Sequence, residues 1–509
     1  MTASWDRVHP PSAGLRRIRG GEIPTPSRIS WREQQRRARA QLAAQRKPPA
    51  ADALAEQASF GFRLGRLWVD GDGLFAFGLF LPMAFLVQFA TLGAAAIAGL
   101  TPLYLFFRRR QLAQALAPRL FLFAFPAFAL FSVVWSATPK ETLRFALELC
   151  VTVTAALLLA SARNPRAVLK AIALAFLIYV AAALAAGGRV VVGVGAGGDA
   201  FSGLTASKNL MADIASTGLI VSLAVLLMTV RTRDWVWVGI CGVAALLELY
   251  CVFAARSAGA LLGLVMGLAP LLGLSPLVAA GKAVRAWLTS TVALVLIVVG
   301  LNYRTLAEAM IDMGARVFDK DPTLTGRTYL WYRAFDLIHE KPLLGRGYFS
   351  FWLQGNLDAE GLWRYAGIVE RSGFNFHNTL VDLLVTVGWL GAAVLIATVA
   401  IGFVALVRRF VSRPSLPMVF WVAILLYELS RSPIETLGIQ PFYYSTTLVF
   451  AALGAAFGQL PAARRTAHRA IRAALTVKVT PVDYAGGAWA NPRLAPARGS
   501  LRLLRRTEG

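Results

Sequence analysis

The chain has 509 residues, 57% of them hydrophobic and only 16% charged, a mix that excludes an ordinary soluble globular protein. Its 52 Lys and Arg against 27 Asp and Glu give a net charge of +25, but the excess follows the connections between apolar stretches, which argues against nucleic-acid binding. Cys150, Cys241 and Cys251 all lie within apolar stretches, so neither a disulfide framework nor a metal-spaced pair is expected.

In chain order, residues 1–73 are basic and rich in Arg, Gln, Ala and Pro. They lack the apolar core and cleavage site of a signal peptide and are expected to be largely disordered or to lie on a membrane surface. Apolar stretches then run at 74–91, 92–107, 119–136, 142–161, 167–187, 209–229, 235–254, 258–274, 286–303, 378–407, 416–431 and 441–459. Such stretches can cross a hydrocarbon core of about 30 Å as helices, which satisfy their own backbone in lipid. No alternating segments of a β-barrel occur. The expected fold is an all-α polytopic membrane protein of about 12 transmembrane helices. Its expected parts are helices over 74–303, a large loop over 304–377, further helices over 378–459 and a basic tail over 460–509. The pair within 74–107 is tight for two spans and is also compatible with a re-entrant hairpin.

Lys and Arg concentrate in 1–73, 108–118, 162–166, 230–234, 275–285, 408–415 and 460–509. The positive-inside rule then places both termini on the cytoplasmic side of the membrane, with the basic tails against anionic membrane lipids. Two connections on the opposite, exterior side are long. Gly187 to Ser207 is glycine-rich and should be flexible or partly extended. Leu306 to Phe376 is too long for a passive connection. Within it Thr325 is a plausible N-cap, Leu330, Ala334, Leu337 and Ile338 recur on one helical face, and Lys341-Pro342 ends the pattern.

The stretch DPTLTGRTYLWYRAFDLIHEKPLLGRGYFSFW (Asp321–Trp352), followed by FNFHNTLVDLLVTVGWLG (Phe374–Gly391), resembles the O-antigen ligase/polymerase superfamily. Within it the likeness is greatest to exopolysaccharide polymerases of the succinoglycan type. FSGLTASKNLMADIA (Phe201–Ala215) and Arg256-Ser257-Ala258 also sit where that superfamily has its motifs. The resemblance implies a glycosyltransferase that moves a glycan from undecaprenyl diphosphate to an acceptor hydroxyl, with no nucleotide sugar and no cofactor. A polymerase uses a second lipid-linked repeat as acceptor, a ligase uses lipid A core sugars, and related enzymes glycosylate protein Ser or Thr. Chain-length regulators or export proteins are possible partners. A transporter or flippase is the rival of another class, but such proteins keep ionisable groups near the midplane, whereas here they gather in a single loop.

The residue types agree with that chemistry. A diphosphate leaving group needs fixed positive charge, and Arg offers a planar fork for its oxygens. Arg327 opens the expected loop helix, where unpaired backbone N–H groups add to anion binding. A surface arginine reaching for headgroups is the ordinary alternative. His377, beside Asn378 at the entrance to a span, is the acid–base candidate, because an imidazole titrates near ~6.5. The resemblance places an essential histidine in this His-Asn pair. Lys208 and Arg256, at opposite-side turns, are expected to bind diphosphate, since charges there are costly unless they reach headgroups or function. Arg346, in Gly345-Arg346-Gly347-Tyr348, is a further phosphate or sugar ligand, unless the glycines mark an ordinary tight turn. The aromatics Tyr329, Trp331, Tyr332, Tyr348, Phe349, Phe351, Trp352 and Trp363 divide between an interfacial belt and sugar stacking. Glu428, Arg431 and Glu435 are expected to brace the loop as an ion pair. No acidic cluster with metal-ligand spacing accompanies His377, so transfer is expected to be metal-independent.

Overall fold

The computed structural model describes residues 61–64, 67–191, 198–205, 207–301, 327–369, 371, 374–436 and 438–457. The N-cap proposed at Thr325, the N-terminal region before Gly61 and the basic tail after Phe457 lie outside these. One compact unit ends at Gly71 and holds an antiparallel hairpin, β1 (Gly61–Leu64) and β2 (Leu67–Asp70), with Gly61 opposite Asp70.

The second unit is helical. In chain order it has α1 (Gly71–Ala84), α2 (Ala90–Leu116), a 3-10 segment (Ala117–Phe123) leading into α3 (Ala124–Phe131), α4 (Pro139–Ala160) and α5 (Pro165–Ala186). A short hairpin, β3 (Arg189–Val191) and β4 (Asp199–Phe201), follows, so the Gly-rich connection is partly extended, as expected. Next come α6 (Lys208–Thr232), α7 (Trp235–Ala254), α8 (Ala258–Leu274), α9 (Lys282–Leu301), α10 (Arg327–Glu340) and α11 (Leu357–Tyr365). The chain closes with α12 (Thr379–Ser412), α13 (Leu416–Arg431) and α14 (Tyr444–Ala455).

Among the described residues, eight helical stretches are long and apolar enough to cross a membrane. Their outward faces are apolar too, with Leu92, Phe107, Val236, Phe253, Val265 and Ile401 all exposed. A bundle that is apolar inside and out is a multi-pass membrane protein, because lipid is the solvent that tolerates that surface. Each expected apolar stretch contains a helix, but α1, α13 and α14 are short for a span. At 1.5 Å per residue α1 reaches about 21 Å, α13 about 24 Å and α14 about 18 Å. The 74–107 stretch thus resolves into the short α1, a turn and the long α2.

α14 is buried along its whole length and forms the centre of the bundle. It packs on α4, α12 and α13, while α6 packs on α5, α7, α8 and α13. α10 lies against α12 and buries Leu330, Ala334, Leu337 and Ile338, the stripe read from the sequence.

α12 is broken at Gly388 (φ 62°, ψ −171°) into a half-helix, 379–387, and a long helix, 389–412. A break in an apolar helix orphans carbonyls and amides that lipid cannot satisfy. The segment after α10 fills them. Arg346 N donates to Val385 O (3.1 Å) and Gly347 N to Thr386 O (2.7 Å), while Trp389 N donates to Pro342 O (2.9 Å) and Leu390 N to Leu343 O (3.1 Å). Gly345 (φ 64°) and Gly347 (φ 108°) adopt backbone that only glycine takes without strain. A Cβ on Gly345 would meet the Thr386 backbone. The Pro-Leu-Leu-Gly-Arg-Gly-Tyr motif is therefore a plug for a broken helix.

Candidate active site at one end of the bundle

Asn378 caps α12: its side chain accepts from Val381 N (3.1 Å) and donates to Pro433 O (3.1 Å). Thr379 N donates to Ser432 O (2.8 Å), and the Thr379 hydroxyl donates to Glu435 O (2.9 Å). The start of α12 is thereby sewn to the loop that leaves α13. His377, just before the cap, has φ 51°. A non-glycine residue held in that region costs roughly 1–3 kcal/mol and persists only where its surroundings over-determine it. Here they do. His377 N donates to Asn375 Oδ1 (2.8 Å), and the Trp331 indole of α10 donates to Phe376 O (2.8 Å).

The His377 ring places Nδ1 3.1 Å from Glu435 Oε2. Arg327, the first residue of α10, donates to Ile434 O (2.6 Å) and lies 3.2 Å from Glu435 Oε1. Glu435 thus bridges the two residues singled out from the sequence, one oxygen to each. Asn209 of α6 donates to Oε1 (3.4 Å) and accepts from the Ser257 hydroxyl (3.0 Å) at the α7–α8 turn. Burial alone would raise the Glu435 carboxyl. The hydrogen bond from His377 and the charges of His377, Arg327 and Arg431 outweigh it and hold the carboxyl below the usual carboxylate range.

Lys208 and Arg256 are the chain neighbours of Asn209 and Ser257, so the same contacts bring them to this cluster. They are close enough to repel each other electrostatically. Among the described residues neither forms an ion pair. Arg256 also has left-handed backbone (φ 48°), and Gly198 of the β3–β4 connection lies against its guanidinium: a Cβ there would sit 2.9 Å from Nη1. Two adjacent cations with no ion pair among the described residues have the charge that binding a dianion requires.

Arg346 makes none of these contacts. Its guanidinium pairs with Glu340 at the end of α10, and its backbone plugs the break in α12. A sequence separation of six, with Lys341-Pro342 turning the chain between them, brings the two side chains together. Most of the aromatics also fall elsewhere than a belt or a sugar platform. Tyr348, Phe351 and Trp363 are fully buried, and Trp331, Phe349 and Trp352 pack against the core, whereas Tyr329 and Tyr332 remain exposed. Nor do Glu428, Arg431 and Glu435 pair with one another. Arg431 pairs with Asp213 and Glu428 accepts from the Ser445 hydroxyl (2.7 Å), which leaves Glu435 for the site.

With Nδ1–H given to Glu435, the imidazole presents Nε2 as a base of fixed orientation, the carboxylate selecting the tautomer. Arg327 keeps further N–H groups for an incoming anion. One oriented base beside three cations suits displacement of an anionic leaving group by a hydroxyl.

The O-antigen ligase family profile matches residues 243–396, a stretch holding Arg256, Arg327, Arg346 and His377 but ending before Glu435. The chain is also 30% identical, over 392 residues, to the exopolysaccharide production protein ExoQ of Rhizobium meliloti strain 1021; the match covers 75% of this chain and 87% of the relative.

Proposed function

The chain belongs to the O-antigen ligase family, together with that exopolysaccharide production protein, and from this premise we propose that it polymerises undecaprenyl-diphosphate-linked oligosaccharide repeats into exopolysaccharide at the periplasmic face of the bacterial inner membrane. The carrier's diphosphate lies against Lys208 and Arg256, with Arg327 at its edge. His377 Nε2 takes the proton of an acceptor sugar hydroxyl. The oxygen attacks the donor's anomeric carbon, the bond from that carbon to diphosphate oxygen breaks, and undecaprenyl diphosphate leaves with the electron pair. One displacement inverts the anomeric centre. Lys and Arg supply the compensating charge, so the transfer runs without a metal, and chelation by EDTA leaves the rate unchanged.

The single observation that carries this reading is Glu435 holding His377 and Arg327 at once, with Lys208 and Arg256 adjoining through Asn209 and Ser257. A general base typically contributes ~10²–10⁴-fold. His377→Ala should lose polymer on about that scale while the protein inserts normally, and Arg327→Ala should lose it too. Polymer at the normal level from both variants would remove the site. The description of the matched family favours a second reading, transfer of a finished glycan onto lipid A core. The two separate on deletion of the gene: single lipid-linked repeats accumulate if the protein is a polymerase, and full-length carrier-linked polymer if it is a ligase.

A further inference from the structure

We propose that Asp382 is a positioning residue for the transfer step, a buried carboxylate that fixes His377 and Glu435 relative to each other; the inference rests on the reading of that pair as the reacting centre. Asp382 lies in the first turn of the half-helix 379–387 and is only 4% exposed. It is not bonded to His377 or to Glu435. It takes instead the residue before the one and the residue after the other. Phe376 N donates to its carboxylate at 3.2 and 3.4 Å, and the Thr436 hydroxyl donates to Oδ2. The Trp352 indole nitrogen lies 3.5 Å from Oδ1.

Every one of these partners is a donor, so the site fits an ionised, acceptor-only group. A neutral amide of the same shape has a single acceptor oxygen and an NH₂ that would face a donor. Both backbone groups of Phe376 are held, its N–H by Asp382 and its carbonyl by the Trp331 indole of the helix that carries Arg327. The carbonyl belongs to the peptide that leads into His377, so these bonds oppose relaxation of its left-handed backbone. Thr436 does the same for Glu435 from the other strand of the loop.

The test uses the full-length chain in a strain lacking its own copy. Membranes are supplied with the lipid-linked glycan extracted from the deletion strain, and insertion is followed by immunoblot. Asp382→Asn should insert normally and lose rate by about 100-fold, the scale of a misplacement near 1 Å, while KM changes by less than about 2-fold. Thr436→Val should lose rate and Thr436→Ser should restore it. In the Asp382→Asn background, Thr436→Val should cost nothing more, because both act through one contact. An unchanged rate in Asp382→Asn, or a double variant that loses the product of the two single effects, overturns the proposal. If Asp382→Asn fails to reach the membrane, an unchanged rate in Thr436→Val overturns it equally. His377→Ala separates the two levels: full activity there removes the parent reading, whereas an inactive His377→Ala beside a fully active Asp382→Asn removes this inference alone.

Discussion

Two carboxylate–guanidinium clusters sit four residues apart along α6 and along the end of α13 with the loop that leaves it, and they differ in what is left over. In the upper one, Asn209 of α6 meets Glu435 beyond the end of α13; in the lower, four residues along each chain segment, Asp213 meets Arg431. The lower cluster is buried and charge-paired, although the buried Arg431 Nε has no hydrogen-bond partner among the described residues. Asp213 accepts from Arg431 and from the hydroxyls of Tyr427 and Tyr444 (2.7 Å each), and Arg431 lies 5.1 Å from the Tyr427 ring centre. Both charged side chains are 3% exposed. In the upper cluster Arg327, Glu435 and His377 keep 15%, 18% and 25% of their side-chain surface, and Lys208 and Arg256 stand beside them with no ion-pair partner among the described residues. The same chemistry thus holds helices together where it is buried and charge-paired, and it stays partly exposed where it is not.

The largest effect should come from breaking the lower cluster. Removing one partner of a buried pair leaves the other charge uncompensated and costs ~3–5 kcal/mol. Arg431→Ala should therefore lower the amount of folded protein in membranes and its thermal midpoint. Asp213→Asn combined with Arg431→Met should recover much of both, because no charge is then stranded. A normal level of Arg431→Ala would show that the lower cluster does not brace the bundle.

Glu435→Gln probes the upper cluster and should do the reverse. Insertion should stay normal while rate falls by roughly 10–100-fold, since the imidazole loses the acceptor that fixes its tautomer. A stability loss as large as that of Arg431→Ala would erase the distinction between the clusters. Acid gives an independent check. The Glu435 carboxyl lies below its ordinary value of 4.5 in the folded chain. Its stabilising effect is therefore complete above that value and is lost as pH falls through the folded one. Acid should destabilise the wild type below about pH 4.5 more steeply than Glu435→Gln. Parallel curves for the two proteins would contradict the ion-pair geometry.

What was legible beforehand follows from what the residues can report locally. The stripe Leu330, Ala334, Leu337 and Ile338 is a periodic pattern, and periodicity reports burial on one helix. Arg327 and His377 were legible as residue types at helix starts, and the resemblance sharpened both. Glu435 was visible too, but only as a charge after a short apolar span. It lies 108 residues from Arg327 and 58 from His377, and nothing local tells a loop carboxylate which cation it will meet. Gly388 was a signal available for the broken α12, but Gly391 and Gly402 share the same apolar pattern and leave the helix unbroken. The plug that fills the break was unreadable, because backbone-to-backbone pairing leaves no mark on side-chain pattern beyond its glycines.

The smallest expected effect falls on Arg346, and it tests where the site ends. Sequence reasoning counted Arg346 with the phosphate ligands, yet its guanidinium pairs with Glu340, whose side chain is 61% exposed. An ion pair that open to solvent is worth about 0–1 kcal/mol. What Arg346 contributes firmly is its backbone N–H to Val385 O (3.1 Å), and substitution leaves that in place. Arg346→Ala should therefore cut polymer formation by no more than about 5-fold, a loss within that energy range. Arg346→Pro, which deletes the N–H and exposes a broken helix end, should be far worse. If Arg346→Ala instead matched Arg327→Ala, the guanidinium would have to leave Glu340 when substrate binds, and the diphosphate seat would extend from Lys208 and Arg256 to the plug of α12.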